Sequence, residues 1–286
     1  MAAAFGQLAS TLGVPNLFSP VAFRLVFLAA SLALSACSTS NSSPTLPPTP
    51  IDQTSYGRLM KLADDVDQRG DHGTAATLYL RATQEPGAGI EAWNRLGELK
   101  LVSRDAVGAE RAFQQALALD PDNPHSQLGL GTAQLRLGYA ERAQPLLASA
   151  APRLNSVAAF TRLGVAEALL GHTASAQDAF FSAKTLAPND LDTRCNLALA
   201  YILNDQPGLA LDEINGADTA PAAQPRHQRN ALLVQVLVGR QGNPAEVRLD
   251  GIDAPQRQAL IDDAKRIAAI KDPATRAQAM GLVERH

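Results

Sequence analysis

One residue spacing recurs along most of this chain and constrains the fold more than any other feature. Gly97, Gly131, Gly164, Ala198 and Leu232 are separated by 34, 33, 34 and 34 residues, and Ala63 lies 34 residues before Gly97. Other residues keep fixed offsets from these. Counting Ile90 as position 1, Trp93, Leu96, Gly97, Ala109, Phe113, Ala116 and Pro121 fall at positions 4, 7, 8, 20, 24, 27 and 32. The unit before carries Gly70, Ala75, Tyr79 and Ala82 at positions 15, 20, 24 and 27. The next three repeat the scheme with Gly131, Ala143, Leu147 and Ala150, then Gly164, Ala176, Phe180 and Ala183, then Ala198, Ala210, Ile214 and Ala217. A period of this length marks a stacked-repeat architecture. The sixth unit is degenerate: Leu232 and Gly239 fit, but Pro244 stands where a packed alanine is expected.

This signature resembles the tetratricopeptide repeat (TPR), departing at Lys100 and Arg104, where that pattern usually has tyrosine and glycine. The resemblance implies an all-α, right-handed solenoid of about five to six helix pairs. Small residues at positions 8, 20 and 27 let helices A and B of each pair approach closely, and large residues at 4, 7 and 24 fill the space between neighbours. Neither helix of a pair buries its apolar face alone, so stacking is required. Asn123 and Pro124 read as N-cap and first helical residue. In the tail, Asp253 and Asp272 read as N-caps, with Pro255 and Pro273 in the first turn. Leu260, Ala264 and Ile267 form an apolar stripe at helical spacing. Two terminal helices are expected, the first capping the solenoid.

The N-terminus reads as an address. Residues 25–36, LVFLAASLALSA, follow Arg24 and are too short to span a bilayer of about 30 Å, but suit the apolar core of a signal peptide. Leu34-Ser35-Ala36-Cys37 resembles the bacterial lipobox. That implies cleavage before Cys37 and acylation of its thiol, and several acyl chains anchor a protein stably. The long uncharged stretch before Arg24 points to a start near Val21. Residues 38–54, STSNSSPTLPPTPIDQT, are too poor in apolar residues to bury a core and read as a stalk. Ser38 is not the aspartate that commonly retains lipoproteins at the inner membrane, which by analogy favours the outer one. The expected organisation is 1–36 signal peptide, 37–54 lipidated cysteine and linker, 55–250 solenoid and 251–286 terminal helices.

Composition excludes several function classes. Lys plus Arg is 25 and Asp plus Glu 28, so there is no basic excess for a phosphate backbone. Two cysteines, Cys37 and Cys195, rule out a disulfide scaffold and a four-thiolate zinc site. The five histidines (72, 125, 172, 227 and 286) have no metal-ligand partner at helical spacing. Phosphate-loop, dinucleotide and nucleophile-elbow motifs are absent. The expectation is a protein without catalytic residues, metal, cofactor, small-molecule substrate or nucleic-acid partner.

The TPR resemblance implies that helix A positions 2, 5, 9, 12 and 13 line an inner groove. These include Asn94 in the second unit, Arg136 in the third, Leu199, Ile202 and Leu203 in the fifth, and Arg229, Leu233, Val236 and Leu237 in the sixth. The groove therefore begins polar and turns apolar. An exposed apolar groove of that size is a liability. Either the chain's own C-terminal helix fills it, or an amphipathic partner helix does.

A narrower resemblance sits in units five and six. Arg194-Cys195-Asn196-Leu197-Ala198-Leu199 and Arg229-Asn230-Ala231-Leu232-Leu233 resemble paired R-x-N-L-A-L segments of the TPR lipoproteins of tight adherence (Tad, Flp-type) pilus assembly, departing at Cys195 and Ala231. The order of lipobox, stalk, repeats and short helical tail matches that family too. The resemblance implies an outer-membrane, periplasm-facing scaffold or pilotin that binds a secretin or another assembly subunit. The alternative is a general envelope adaptor serving peptidoglycan enzymes or outer-membrane assembly.

Overall fold

The computed structural model describes residues 54–282, which belong to one compact unit, Pro48–His286. The signal-peptide, lipidation and linker expectations, Cys37 included, lie outside the described residues apart from Thr54, which caps the first helix.

The described residues are all-helical. Five antiparallel pairs follow one another: α1 Ser55–Gln68 with α2 His72–Ala82, α3 Ile90–Val102 with α4 Ala106–Leu119, α5 Pro124–Arg136 with α6 Ala140–Leu154, α7 Val157–Leu169 with α8 Thr173–Leu186, and α9 Leu191–Leu203 with α10 Pro207–Ile214. The sixth unit contributes α11 Pro225–Leu237 alone, a 3-10 turn at Gly239–Gln241 and an irregular stretch containing Pro244. The tail adds α12 Ala254–Ala268 and α13 Pro273–Ala279. Each helix packs on the next as far as α11. The A helices also touch one another (α3–α5, α5–α7, α7–α9, α9–α11) without comparable packing between B helices, which puts the A helices on the inside of the curve.

The repeat positions behave as their side chains require. The alanines at positions 20 and 27 of all five complete units are fully buried. At position 8, a Cβ on Gly97 would meet the Phe113 ring at 2.7 Å, one on Gly131 would meet Leu147 at 2.7 Å and one on Gly164 would meet Phe180 at 2.8 Å. The helices are therefore in contact at the glycine, and the residue at position 24 of the same unit occupies the space a side chain would take.

The turns that follow the A helices share one conformation. Gly70, Arg104, Gly138, Gly171, Asp205 and Gly239, all at position 15, have positive φ. Four of the six are glycine, which takes this region without penalty. The 33-residue unit closes on Asn155, at φ 44°, directly followed by Ser156, the N-cap of α7.

Caps fall where the sequence places them. Asn123 accepts from the Ser126 amide at 3.1 Å with Pro124 in the first turn. Asp253 accepts from the Gln256 amide at 2.8 Å, with Gln256 reaching back to close a capping box. Asp272 accepts from the Thr275 amide at 2.8 Å.

Where unit six lacks helix B, the chain substitutes a strap. Val247 and Leu249 are buried in the main core cluster in its place. The buried Gln228 amide fixes the strap by donating to Asp250 Oδ2 at 2.8 Å and accepting from the Asp250 amide at 3.0 Å.

Candidate interaction groove

The inner face divides into two parts. Its N-terminal part, along α3 and α5, is open and polar. Glu91, Glu98 and His125 are exposed there, and Val102 is 60% exposed. Arg95 is held between Glu91 at 3.1 Å and Glu98 at 3.3 Å. Asn94 belongs more to the α3–α5 contact than to the open groove: it is buried, and its Oδ1 accepts from the Ser126 hydroxyl at 2.7 Å. Arg136 is half-buried and donates to the Leu101 carbonyl, closing the C-terminal end of α3.

The apolar part is occupied by the chain's own tail. α12 packs along α11, and α13 turns back to lie against the A helices α7 and α9. Ala277, Met280 and Leu282 join the core cluster that contains Leu199, Ile202 and Leu203. Those three groove residues are only 2, 6 and 7% exposed, so they are covered, not open, lining. Leu233, Val236 and Leu237 are half-buried. Leu233 borders a cleft of about 190 Å3 together with Leu260 and Met280, and Leu237 borders one of about 130 Å3 with Ala268 and Arg276. Arg229 is exposed and bonds to the Pro225 carbonyl in its own helix. Of the two possible occupants of the apolar groove, the structure seats the tail.

The segment that carries the pilus-family resemblance has a bonding role. Arg194 donates to the Glu213 and Asn215 carbonyls at 2.7 and 2.8 Å, satisfying the C-terminal end of α10. Asp192 receives Arg226 at 2.7 and 2.8 Å and the His227 Nε2 at 2.9 Å, joining units five and six. The Arg226 bonds hold the Asp192 carboxyl below its usual range. His227 is buried and its Nδ1 accepts from the Gln224 amide, so its second nitrogen is the donor toward Asp192. No local motif encodes these links, which join residues 34 and 35 positions apart. Their signal is an acid and a base at the same position of successive repeats, 34 residues apart.

Among the described residues, the thiol and the turn histidines are held in packing and ion-pair contacts. Cys195 is 1% exposed, and burial pushes its thiol up to about 12, which removes the thiolate needed for nucleophilic attack. His72 pairs with Asp67 and His172 with Glu167, each at 2.7 Å, across the A-to-B turns. Among the described residues, no three His, Cys, Asp or Glu side chains are grouped to hold a metal ion, and no helix is long and apolar enough to cross a membrane.

Comparison with known proteins agrees with this architecture. Residues 100–163 match the tetratricopeptide repeat family model. Over 242 residues, 80% of this chain, the sequence is 29% identical to cellulose synthase operon protein C of Xanthomonas axonopodis pv. citri, covering 16% of that protein. It is also 29% identical over 82 residues, 29% of the chain, to tetratricopeptide repeat protein 8 of Caenorhabditis elegans, again covering 16%. The chain thus spans about one sixth of the length of these curated relatives. Among solved structures, PilF of Pseudomonas aeruginosa superposes with a TM-score of 0.54 at 15% identity, over 78% of this chain and 95% of that one. YrrB, described as a TPR protein with an unusual peptide-binding site, gives 0.51 at 22% identity over 61% and 88%. MamA of Desulfovibrio magneticus RS-1 gives 0.52 at 17% identity over 56% and 91%. These likenesses concern the fold. Repeat register, helix packing and the family match over residues 100–163 converge on one fold, an all-helical solenoid of the tetratricopeptide-repeat type.

Proposed function

We propose that this protein is a lipid-anchored scaffold of the bacterial envelope that binds an assembly subunit of the tight-adherence pilus, a secretin or a neighbouring component, along the inner face of its solenoid. The observation that carries this reading is a conjunction in the sequence. A lipobox ending at Cys37 and a Ser/Thr/Pro stalk precede a repeat array whose fifth unit carries Arg194-x-Asn196-Leu197-Ala198-Leu199. In this reading Cys37 anchors the chain to the outer membrane, facing the periplasm. The open part of the groove at Glu98, Val102 and Arg136 makes first contact, and the apolar part at Leu199, Ile202, Leu203, Leu233, Val236 and Leu237 contributes once uncovered.

A general envelope adaptor is the second reading. It is favoured by the breadth of the likeness to cellulose synthase operon protein C, which extends over most of the chain and not only the pilus-like segment.

Crosslinking in the native envelope with the full-length protein as bait separates the two. Pilus-assembly proteins are expected among the captured partners, with capture lost in Val102→Asp, an exposed site where folding is preserved. Release of the protein from the membrane is expected in Cys37→Ala. Capture of cell-wall enzymes or outer-membrane assembly proteins, with no pilus component, would overturn the pilus reading in favour of the adaptor.

A further inference from the structure

The tail's placement bears on what the groove accepts. A helix that merely closes a solenoid stacks on the last unit, as α12 does on α11. By contrast, α13 doubles back onto α7 and α9, two and one units earlier, on the inner face where a ligand would lie. Its contact surface is small and evenly spaced. Ala274 lies by the α7–α8 turn, where a Cβ on Gly171 would be 3.7 Å away; Ala277 is fully buried, and Met280 is 6% exposed. The polar side chains of α13 bond within the tail: Thr275 to Asp272, and Arg276 to the Ile270 carbonyl. Two clefts, of about 130 and 190 Å3, run along the seam between tail and solenoid. The helix itself has seven residues, and so short a helix is marginal without its docking surface.

We propose that α13 is an exchangeable occupant of the groove, holding the place of a partner's amphipathic helix with the same pattern: two alanine-sized residues three apart, then a large apolar residue three further on. A small residue is required at Ala277, which is fully buried, and suits Ala274, which is half-buried and in contact distance of position 171. The large residue enters the cleft beside Leu233. This rests on the reading that the groove binds a protein, and it specifies the segment that would bind. The tethered tail competes at high effective concentration, so a partner in trans engages this part of the groove only in the fraction of molecules where α13 has left.

A reversible lock tests this on the full chain. The Cβ separation of 3.7 Å between position 171 and Ala274 lies within disulfide range. The double variant Gly171→Cys with Ala274→Cys therefore pins the tail when oxidised and frees it when reduced. Both states carry the same strain at Gly171, so it cancels in the comparison. The probe is a labelled synthetic peptide of residues 270–282, with a control peptide in which both Ala274 and Ala277 are replaced by Leu. The reduced protein is expected to bind the probe at least about tenfold more tightly than the oxidised one, and the control peptide not to bind. As an independent arm, Ala277→Glu in the full chain is expected to keep the helical circular dichroism of the solenoid and to bind the probe at least about tenfold more tightly than wild type. Equal binding by oxidised and reduced protein, equal binding of both peptides, or loss of solenoid helicity in Ala277→Glu would overturn the proposal and make α13 a fixed part of the core. If exchange succeeds while envelope capture yields no pilus component, the pilus reading fails and the exchangeable tail stands.

Discussion

At the scale of single residues, position 15 shows how a repeat tolerates a departure from its own rule. Six turns that follow an A helix need a residue with positive φ, and glycine supplies it in four. Arg104, at φ 62°, and Asp205, at φ 53°, take the same conformation with a side chain attached. A non-glycine residue there costs about 1–2 kcal/mol, partly offset by the extra freedom glycine has in the unfolded chain. Arg104→Gly is therefore expected to stabilise the protein by about 0.5–1 kcal/mol, seen as a rise in melting temperature of about 1–4 °C. A fall in melting temperature would mean that the Arg104 side chain makes a contribution larger than the backbone strain. The departure itself was legible in the sequence, because Arg104 stands where the repeat pattern calls for glycine. The buried links of Asn94 with Ser126 and of Gln228 with Asp250 were not. Polar residues at such spacings are as compatible with a solvated groove as with a packed contact, and only the positions of neighbouring helices decide between them.

At the scale of the element, each helix pair is fitted through positions 8 and 24. Gly164 faces Phe180, and a methyl group at 164 would approach the ring to 2.8 Å. Gly164→Ala alone is expected to destabilise the protein by about 1–3 kcal/mol through overpacking. The fifth unit solves the same problem with Ala198 and Ile214, both buried. Gly164→Ala combined with Phe180→Ile copies that pair and is expected to recover most of the loss in a chemical denaturation series. Failure of the double variant to improve on Gly164→Ala would show that the two positions are not coupled. The small residue at position 8 and the large one at position 24 were readable from the repeat, but not that the two meet within one unit, since the large residue was expected between neighbours. The strap after α11 was only half-readable: Pro244 announces that helix B is missing, but not that Val247 and Leu249 would return to the core in its stead.

At the scale of the whole molecule, the core is unevenly distributed along the solenoid. Units three to six and the tail share one large apolar cluster. Units one and two depend on a small one around Ala63, Tyr79 and Leu96, and a third small cluster around Phe113 and Leu130 bridges units two and three. In a repeat array, stability is close to a sum of unit and neighbour-interface contributions, so its ends open independently. Amide hydrogen exchange is expected to be fastest in α1 and α2 and slowest in α7 to α11. Uniform protection along the chain would show that the solenoid unfolds as a single cooperative block.

The repeat, its helix pairs and caps, the alanines that pack between them, the failure of the sixth unit and the two tail helices can all be read from the amino acids alone. Each of these is encoded by residues close together or at one fixed spacing, so periodicity suffices to read it. That the apolar end of the groove is covered from within follows from the three-dimensional packing alone. The tail meets α7 near Gly171 and Ala274, about a hundred residues apart, a distance that belongs to no repeat. Its apolar stripe was visible in the sequence, yet a stripe states only that a helix must be buried. Which surface buries it depends on shape: the groove the A helices leave, the contact of Ala274 with the turn at Gly171, and the turn between α12 and α13 that brings Ala277 against the inner face.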